Sequence, residues 1–327
     1  MTVINPTRAS QVMVVSFYKF VSLPAPQEFG ALLAARARDH GLLGTLLLAE
    51  EGLNASIAGS QEAVNTFLDF VRMQAGFACL SDVRQSLHDS APFRRLKIKF
   101  KREIVTMGVA GIAPALRTGT HVDADTWNDL LNDPSVLLVD TRNSYEHRVG
   151  SFAGALDLGM DSFRQFPALI DAELERCGAT RVAMFCTGGI RCEKASAYVL
   201  ARGVDAVYQL SGGILNYLER TPRENSQWLG ECFVFDARVA LDAGLARGEH
   251  SLCFACRRPL SAADRASALY RHAECCPHCH DQLSEERRRA LAERRQQVVL
   301  AEARHEAHIG AVMPVHAKSV KPVRSET

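Results

Sequence analysis

Arg181-Val-Ala-Met-Phe185-Cys186-Thr187-Gly188-Gly189-Ile190-Arg191-Cys192 is the stretch that decides the fold and the chemistry of this chain. Arg181–Phe185 is a short, mostly apolar run of the kind that forms a parallel strand buried on both faces. Residues 193–202 are rich in helix formers, and Gly203 stands where such a helix would end. Gly188 and Gly189 let the intervening chain curl so that its backbone N–H groups converge on one point. Cys186 occupies that point, at the positive end of the helix dipole and close in sequence to Arg191. These surroundings favour the thiolate over the thiol and lower its pKa. The segment therefore predicts Cys186 as a nucleophile assisted by Arg191, with Thr187, Gly188, Gly189 and Ile190 as the loop between them.

The loop is Cys-x4-Arg, one residue shorter than the Cys-x5-Arg with which cysteine phosphatases surround a phosphate. The shorter loop resembles that of the rhodanese family, which cradles a cysteine persulfide. The resemblance continues through Val139-Asp140-Thr141-Arg142 with Glu146, which is similar to that family's Asp-x-Arg strand. Ala153-Gly154-Ala155-Leu156 resembles the turn after it, and Gly212-Gly213-Ile214 the late glycine pair. It implies a doubly wound α/β domain over 123–220 with the reactive loop at the carboxyl end of a central strand.

Outward from this domain, 327 residues leave room for one or two more. Apolar content of 47% and charged content of 23% fit an ordinary globular protein, and a net charge of +1 names no partner. The start of the chain lacks the apolar centre of a signal peptide, and the longest apolar run, 42–49, is far short of the ~20 residues that span a bilayer. The expected compartment is the cytoplasm, where ten cysteines are thiols or metal ligands rather than disulfides.

Residues 12–105 show the order β-α-β-β-α-β of a ferredoxin-like α+β domain. Pro26 precedes apolar residues at helical spacing, and Glu50-Glu51-Gly52 separates two strand-like runs. The last predicted strand, 95–105, alternates polar with apolar. Arg95, Lys97, Lys99 and Lys101 would share one face and Leu96, Ile98 and Phe100 the core. No acid interrupts the cations, so they form a candidate phosphate track for a nucleic acid. Residues 106–122 read as a linker and 221–248 as a connector.

A cysteine-rich module is expected at 249–283, followed by a solvated helix and a disordered tail over 284–327. Cys253-x2-Cys256 and Cys276-x2-Cys279 have the spacing of a closed four-thiolate structural zinc site. His272, Cys275, His278 and His280 leave the ligands of the second knuckle open. Cys192 is either a resolving thiol for Cys186 or a small core residue. Cys79, Cys177 and Cys232 receive no role. His121-Val-Asp123 superficially matches an iron-binding triad, but Asp123 is better explained as a helix cap. No Rossmann, Walker, flavin, haem or nicotinamide motif occurs.

Three more segments narrow the resemblance. Glu51-Gly-Leu-Asn-Ala-Ser-Ile-Ala-Gly59, the junction 101–108 and Gly230-Glu-Cys-Phe-Val-Phe-Asp236-x-Arg238 are similar to segments of the oxygen-dependent tRNA uridine hydroxylases, rhodanese-domain proteins that make 5-hydroxyuridine at wobble position 34. This resemblance implies tRNA as partner and molecular oxygen as co-substrate. The residues alone suggest a persulfide sulfurtransferase with a small-molecule or protein acceptor. A route to hydroxylation runs through addition of the Cys186 thiolate to C6 of uridine, which leaves nucleophilic density at C5 to meet dioxygen.

Overall fold

A computed structural model describes residues 11–80, 83–88 and 90–304. The expectations for the residues before 11 and for a disordered tail lie outside the described residues. The first domain contains β1 (Val12–Phe20), α1 (Pro26–Asp39), β2 (Leu43–Ala49), β3 (Gly52–Gly59), α2 (Gln61–Arg72), β4 (Arg84–His88) and β5 (Leu96–Phe100). Its sheet has the order β4-β1-β3-β2-β5. Alternation sends Met13, Val15 and Phe17 of β1 and Leu53, Ala55 and Ile57 of β3 to one face, where Leu33, Val64, Phe67 and Val71 of the two helices cover them. Ser60 starts α2 by accepting the Ala63 N–H at 3.2 Å.

The sequence predicts the closing strand of this domain at 95–105. The structure puts β4 in that place, antiparallel to β1, and adds β5 parallel to β2 at the other edge. Arg-Gln-Ser-Leu-His in β4 has one apolar residue, so it carries no alternation to recognise. Leu96 and Ile98 pack against the core as expected. Phe100 does not: the residue is 45% exposed and its ring lies against Gly30 of α1, where a Cβ would meet it at 2.7 Å.

The second domain comprises β6 (Thr120–Val122), α3 (Ala124–Leu131), β7 (Leu137–Asp140), α4 (Ser144–His147), β8 (Gly150–Phe152), β9 (Leu156–Asp157), α5 (Phe166–Cys177), β10 (Arg181–Phe185), α6 (Ile190–Ala201), β11 (Ala206–Leu210) and α7 (Gly213–Arg220). The parallel sheet runs β6-β11-β10-β7-β9. Val182 and Met184 of β10 face a core with Phe166, Ile170 and Val199, while Ala183 and Phe185 face another with Trp127, Ile214 and Tyr217. Two covered faces explain why β10 is almost continuously apolar. Asp123 caps α3 by accepting the Thr126 N–H at 2.9 Å.

The stretch 106–122 is not a free linker. Met107 is buried in the second core with Val105, Val109 and Ile112 beside it, and β6 joins the sheet edge. The connector is likewise bound, because β12 (Trp228–Gly230) pairs with β8, and β13 (Cys232–Phe233) with β14 (Ala240–Leu241). A small module follows, with β15 (Ser251–Leu252), β16 (Pro259–Leu260) and α8 (Ala262–Ala266), and then the largely exposed helix α9 (Glu285–Ala303).

The first two domains meet on the opening turn of α6. Tyr18 Oη donates to Glu193 Oε1 at 3.2 Å. Lys194, nearly inaccessible, places Nζ 2.8 Å from Glu51 Oε2 and 2.5 Å from Glu103 Oε2. Glu193 also binds His121 Nε2 at 3.0 Å and Thr118 Oγ1 at 2.9 Å, which gives His121 a structural partner. Among the described residues no helix is long and apolar enough to cross a membrane.

Candidate active site

β10 delivers Cys186 to the mouth of the sheet, and Gly189 turns the chain into α6 with φ of +95°. A side chain at Gly189 would be strained by that φ and would meet Tyr18 Oη at 2.7 Å, so only glycine fits the loop. Its N–H points at the cysteine, with N to Cys186 Sγ at 3.1 Å. The late glycine pair serves the same loop. Gly213, with φ of +68°, lies where a Cβ would meet Cys186 O at 2.4 Å, and the next N–H, from Ile214, donates to that oxygen at 3.0 Å.

Burial by itself would raise the Cys186 pKa. It is outweighed by a hydrogen bond from the Cys192 thiol, the charge of Arg191, and the N–H groups of Cys192 and Arg191, which hold the thiol at about 5. Cys192 moves the other way, well above its ordinary value, because it is buried beside that thiolate. Arg191 is not aimed at the sulfur alone. Its Nη1 and Nη2 bind Glu146 Oε1 and Oε2 at 2.6 and 2.8 Å, a buried fork that keeps the guanidinium charged and fixed. Arg142, from the Asp-x-Arg strand, is fully buried against Asp140 and acts in the scaffold.

Cys186 opens into a cleft of about 500 Å³ walled by the reactive loop, by other segments of the second domain such as Asn143, Phe163 and Leu215, by the first domain and by the connector. The loop supplies Cys186, Thr187, Gly188, Ile190 and Arg191. The first domain supplies Ser16, Tyr18, Asn54, Ser56 and Arg84, and the connector supplies Phe235 and Arg238. Phe235 stands 67% exposed at this cleft with Arg191 Cζ 5.9 Å from its ring centroid. None of the walls outside the loop is predicted as a site by the sequence. Asn54, Phe235 and Arg238 do fall in the segments that carry the family resemblance, which was the available signal.

Strand register places the basic residues relative to this cleft. Arg84 pairs with Ser16, Ser16 with Ser56, Ser56 with Thr45, and Thr45 with Lys97. In the next row Tyr18, Asn54, Leu47 and Lys99 are successive partners. Paired residues share a face, so Lys97 and Lys99 stand on the sheet face that walls the cleft, two strands from Ser56, or roughly 10 Å. Arg95 and Lys101 are exposed but flank β5 rather than lying within it.

The two cysteine knuckles converge. The sulfurs of Cys253, Cys256, Cys276 and Cys279 all lie within 4.8 Å of one another. The separations Cys253–Cys279, Cys256–Cys276 and Cys276–Cys279 are 4.0, 3.7 and 3.6 Å. Four thiolates at the usual ~2.3 Å from zinc stand about 3.8 Å apart, so the set fits a tetrahedral zinc. Three of the four rival ligands have other polar partners: His278 Nε2 meets Asp264 at 3.1 Å, His280 Nδ1 meets Asp281 at 2.8 Å, and Cys275 Sγ donates to Leu269 O at 3.4 Å; the fourth, His272, packs edge-on against Phe254 with ring centroids 5.6 Å apart.

Comparison with known proteins agrees with this division. Residues 12–104 match the UPF0176 acylphosphatase like domain and residues 123–220 the rhodanese-like domain. A tRNA uridine(34) hydroxylase of Mesorhizobium japonicum is 48% identical over 309 residues, covering 94% of this chain and all of that protein. Among solved structures, BlrB, a BLUF protein in its dark state, is 15% identical over 33% of this chain and 83% of its own, with a TM-score of 0.25. Full-length HypF in its phosphate- and nucleotide-bound form reaches 0.22, at 15% identity over 38% of this chain and 15% of its own. Neither score bears on the fold. The extent of identity with the Mesorhizobium protein does: this chain belongs to the tRNA uridine(34) hydroxylase family.

Proposed function

We propose that the protein hydroxylates uridine 34 of tRNA at C5, with molecular oxygen as co-substrate and the Cys186 thiolate as nucleophile. The observation that carries this reading is a low-pKa thiolate in a cleft of about 500 Å³, the size range of small-molecule and nucleotide sites, in a chain of this family. Cys186 attacks C6, and the negative charge that develops on the ring carbonyl is met by the fixed cation of Arg191 and the loop N–H groups. Lys97 and Lys99 hold phosphates while the base enters the cleft. A sulfurtransferase acting on a small acceptor would need neither the cleft volume nor the basic face. The reading puts the enzyme in the cytoplasm with its substrate. It also gives Cys253, Cys256, Cys276 and Cys279 a structural zinc, with all four positions closed to chemistry.

The test is mass spectrometry of wobble nucleosides from cells with and without the protein. 5-Hydroxyuridine should disappear on deletion and stay absent when Cys186→Ser is expressed at wild-type levels. Wild-type modification in the Cys186→Ser strain would overturn the assignment.

A further inference from the structure

Hydroxylation by dioxygen has an electron requirement. Replacing C5–H by C5–OH with one oxygen atom sends the other to water, and that consumes two electrons and two protons. Two thiols that close to a disulfide release the same number.

Behind the nucleophile the structure holds a second thiol. Cys192 is fully buried, does not line the cleft, and sits in the first turn of α6, the helix that Gly189 opens with its N–H 3.1 Å from Cys186 Sγ. Thr141 fixes it there: its Oγ1 donates to Phe185 O at 3.0 Å and stands 3.5 Å from Cys192 Sγ. Thr141 thus ties the end of β10 to the first turn of α6. Cys186 and Cys192 belong to the same core, whereas Cys232, the other buried cysteine near the sheet, lies in the opposite one.

We infer that Cys186 and Cys192 act as a dithiol that supplies the two electrons of the hydroxylation and leaves the enzyme as a Cys186–Cys192 disulfide after each turnover. The inference rests on the hydroxylase reading above. Cys186 adds to C6, and C5 takes up dioxygen as a hydroperoxide. Loss of the C5 proton expels Cys186 and restores the ring. The freed thiolate attacks the outer oxygen, the O–O bond breaks, C5 keeps a hydroxyl, and Cys186 becomes a sulfenic acid. Cys192, positioned behind it, displaces that hydroxyl as water and forms the S–S bond. The sum is C5–H + O2 + 2 RSH → C5–OH + H2O + RSSR. An external thiol, of low molecular weight or a protein dithiol, then reduces the disulfide. A resolving thiol on the side away from the cleft captures oxidised Cys186 without competing for the base.

The experiment uses the full chain, reduced and freed of thiol, with unmodified tRNA in oxygenated buffer. Acid quenching and alkylation precede digestion; trypsin cuts after Arg191, so the disulfide joins two peptides. The expected result is about one 5-hydroxyuridine and one Cys186–Cys192 disulfide per chain, then arrest, with turnover resuming on addition of dithiothreitol. Cys192→Ala should leave Cys186 as a sulfenic acid that dimedone captures. Many turnovers without added thiol, with both cysteines still alkylatable, would overturn the inference, as would disulfide formation at the same rate without tRNA. Absence of 5-hydroxyuridine in every arm, dithiothreitol included, would overturn the hydroxylase reading and this one with it.

Discussion

At the scale of single residues, the site is built on opposed demands. Burial pushes Cys186 toward the thiol, and the neighbouring hydrogen bonds and the Arg191 charge win. Because the pKa is lowered to about 5, the thiolate should persist as pH falls from neutrality and be lost only as pH passes through that value. Alkylation of Cys186 by iodoacetamide, followed on its own peptide, should therefore be half-maximal near pH 5. The exposed thiols Cys79 and Cys177 provide internal references. A half-maximum for Cys186 near pH 8 to 9 would mean that the loop does not activate it. Arg191 could be read from its spacing to the cysteine. Its fork with Glu146 could not, since 45 residues separate the two and only the fold brings them together.

At the scale of elements, β5 and the cysteine knuckles each carry a prediction. Lys97 and Lys99 project from alternate positions of one strand onto the face that walls the cleft. Changing both to Glu should weaken tRNA binding to a similar extent for all substrate tRNAs. Loss of two phosphate contacts should lower the slope of log affinity against log salt by about 1.4, at about 0.7 per contact for single-stranded RNA. Alkylation of Cys186 should be unaffected. Filter binding or fluorescence titration at several salt concentrations decides it, and unaltered affinity at low salt would make the strand a plain solvated face. For the knuckles, metal analysis after reducing, chelator-free purification should find about one zinc per chain. Chelation should release it and unfold the module, seen as new protease sites around 250–283. Protein that is free of zinc yet equally resistant would refute the site.

At the scale of the whole molecule, the cleft exists because two domains are clamped together at α6. Lys194 is the centre of the clamp, with only 3% of its side chain exposed between two carboxylates that are 22% and 17% exposed. Lys194→Met should leave Glu51 and Glu103 facing each other without a cation. Breaking a buried pair costs about 3–5 kcal/mol, and the partial exposure of both acids puts this case at or below about 3 kcal/mol. The expected outcome is a lower melting temperature with faster proteolysis between the domains. A melting curve unchanged from the parent would show that the clamp contributes nothing.

The sequence by itself determined what is local. The strand, loop and helix around Cys186, the Asp123 cap and the spacing of the four zinc-fitting cysteines are each written within a few residues of chain, because propensity, capping and turn chemistry act at that range. It also carried the order of the two α/β domains. Only the tertiary structure decided that the basic strand is an extra edge strand, that the supposed linker and connector are packed segments, and that Tyr18, Asn54, Arg84 and Phe235 wall the cleft. Those facts depend on strand register and on domains meeting over long sequence separations. Residues such as Tyr18 and Glu193 leave no periodic trace of one another in the chain, since their contact is set by the packing of two independently patterned cores.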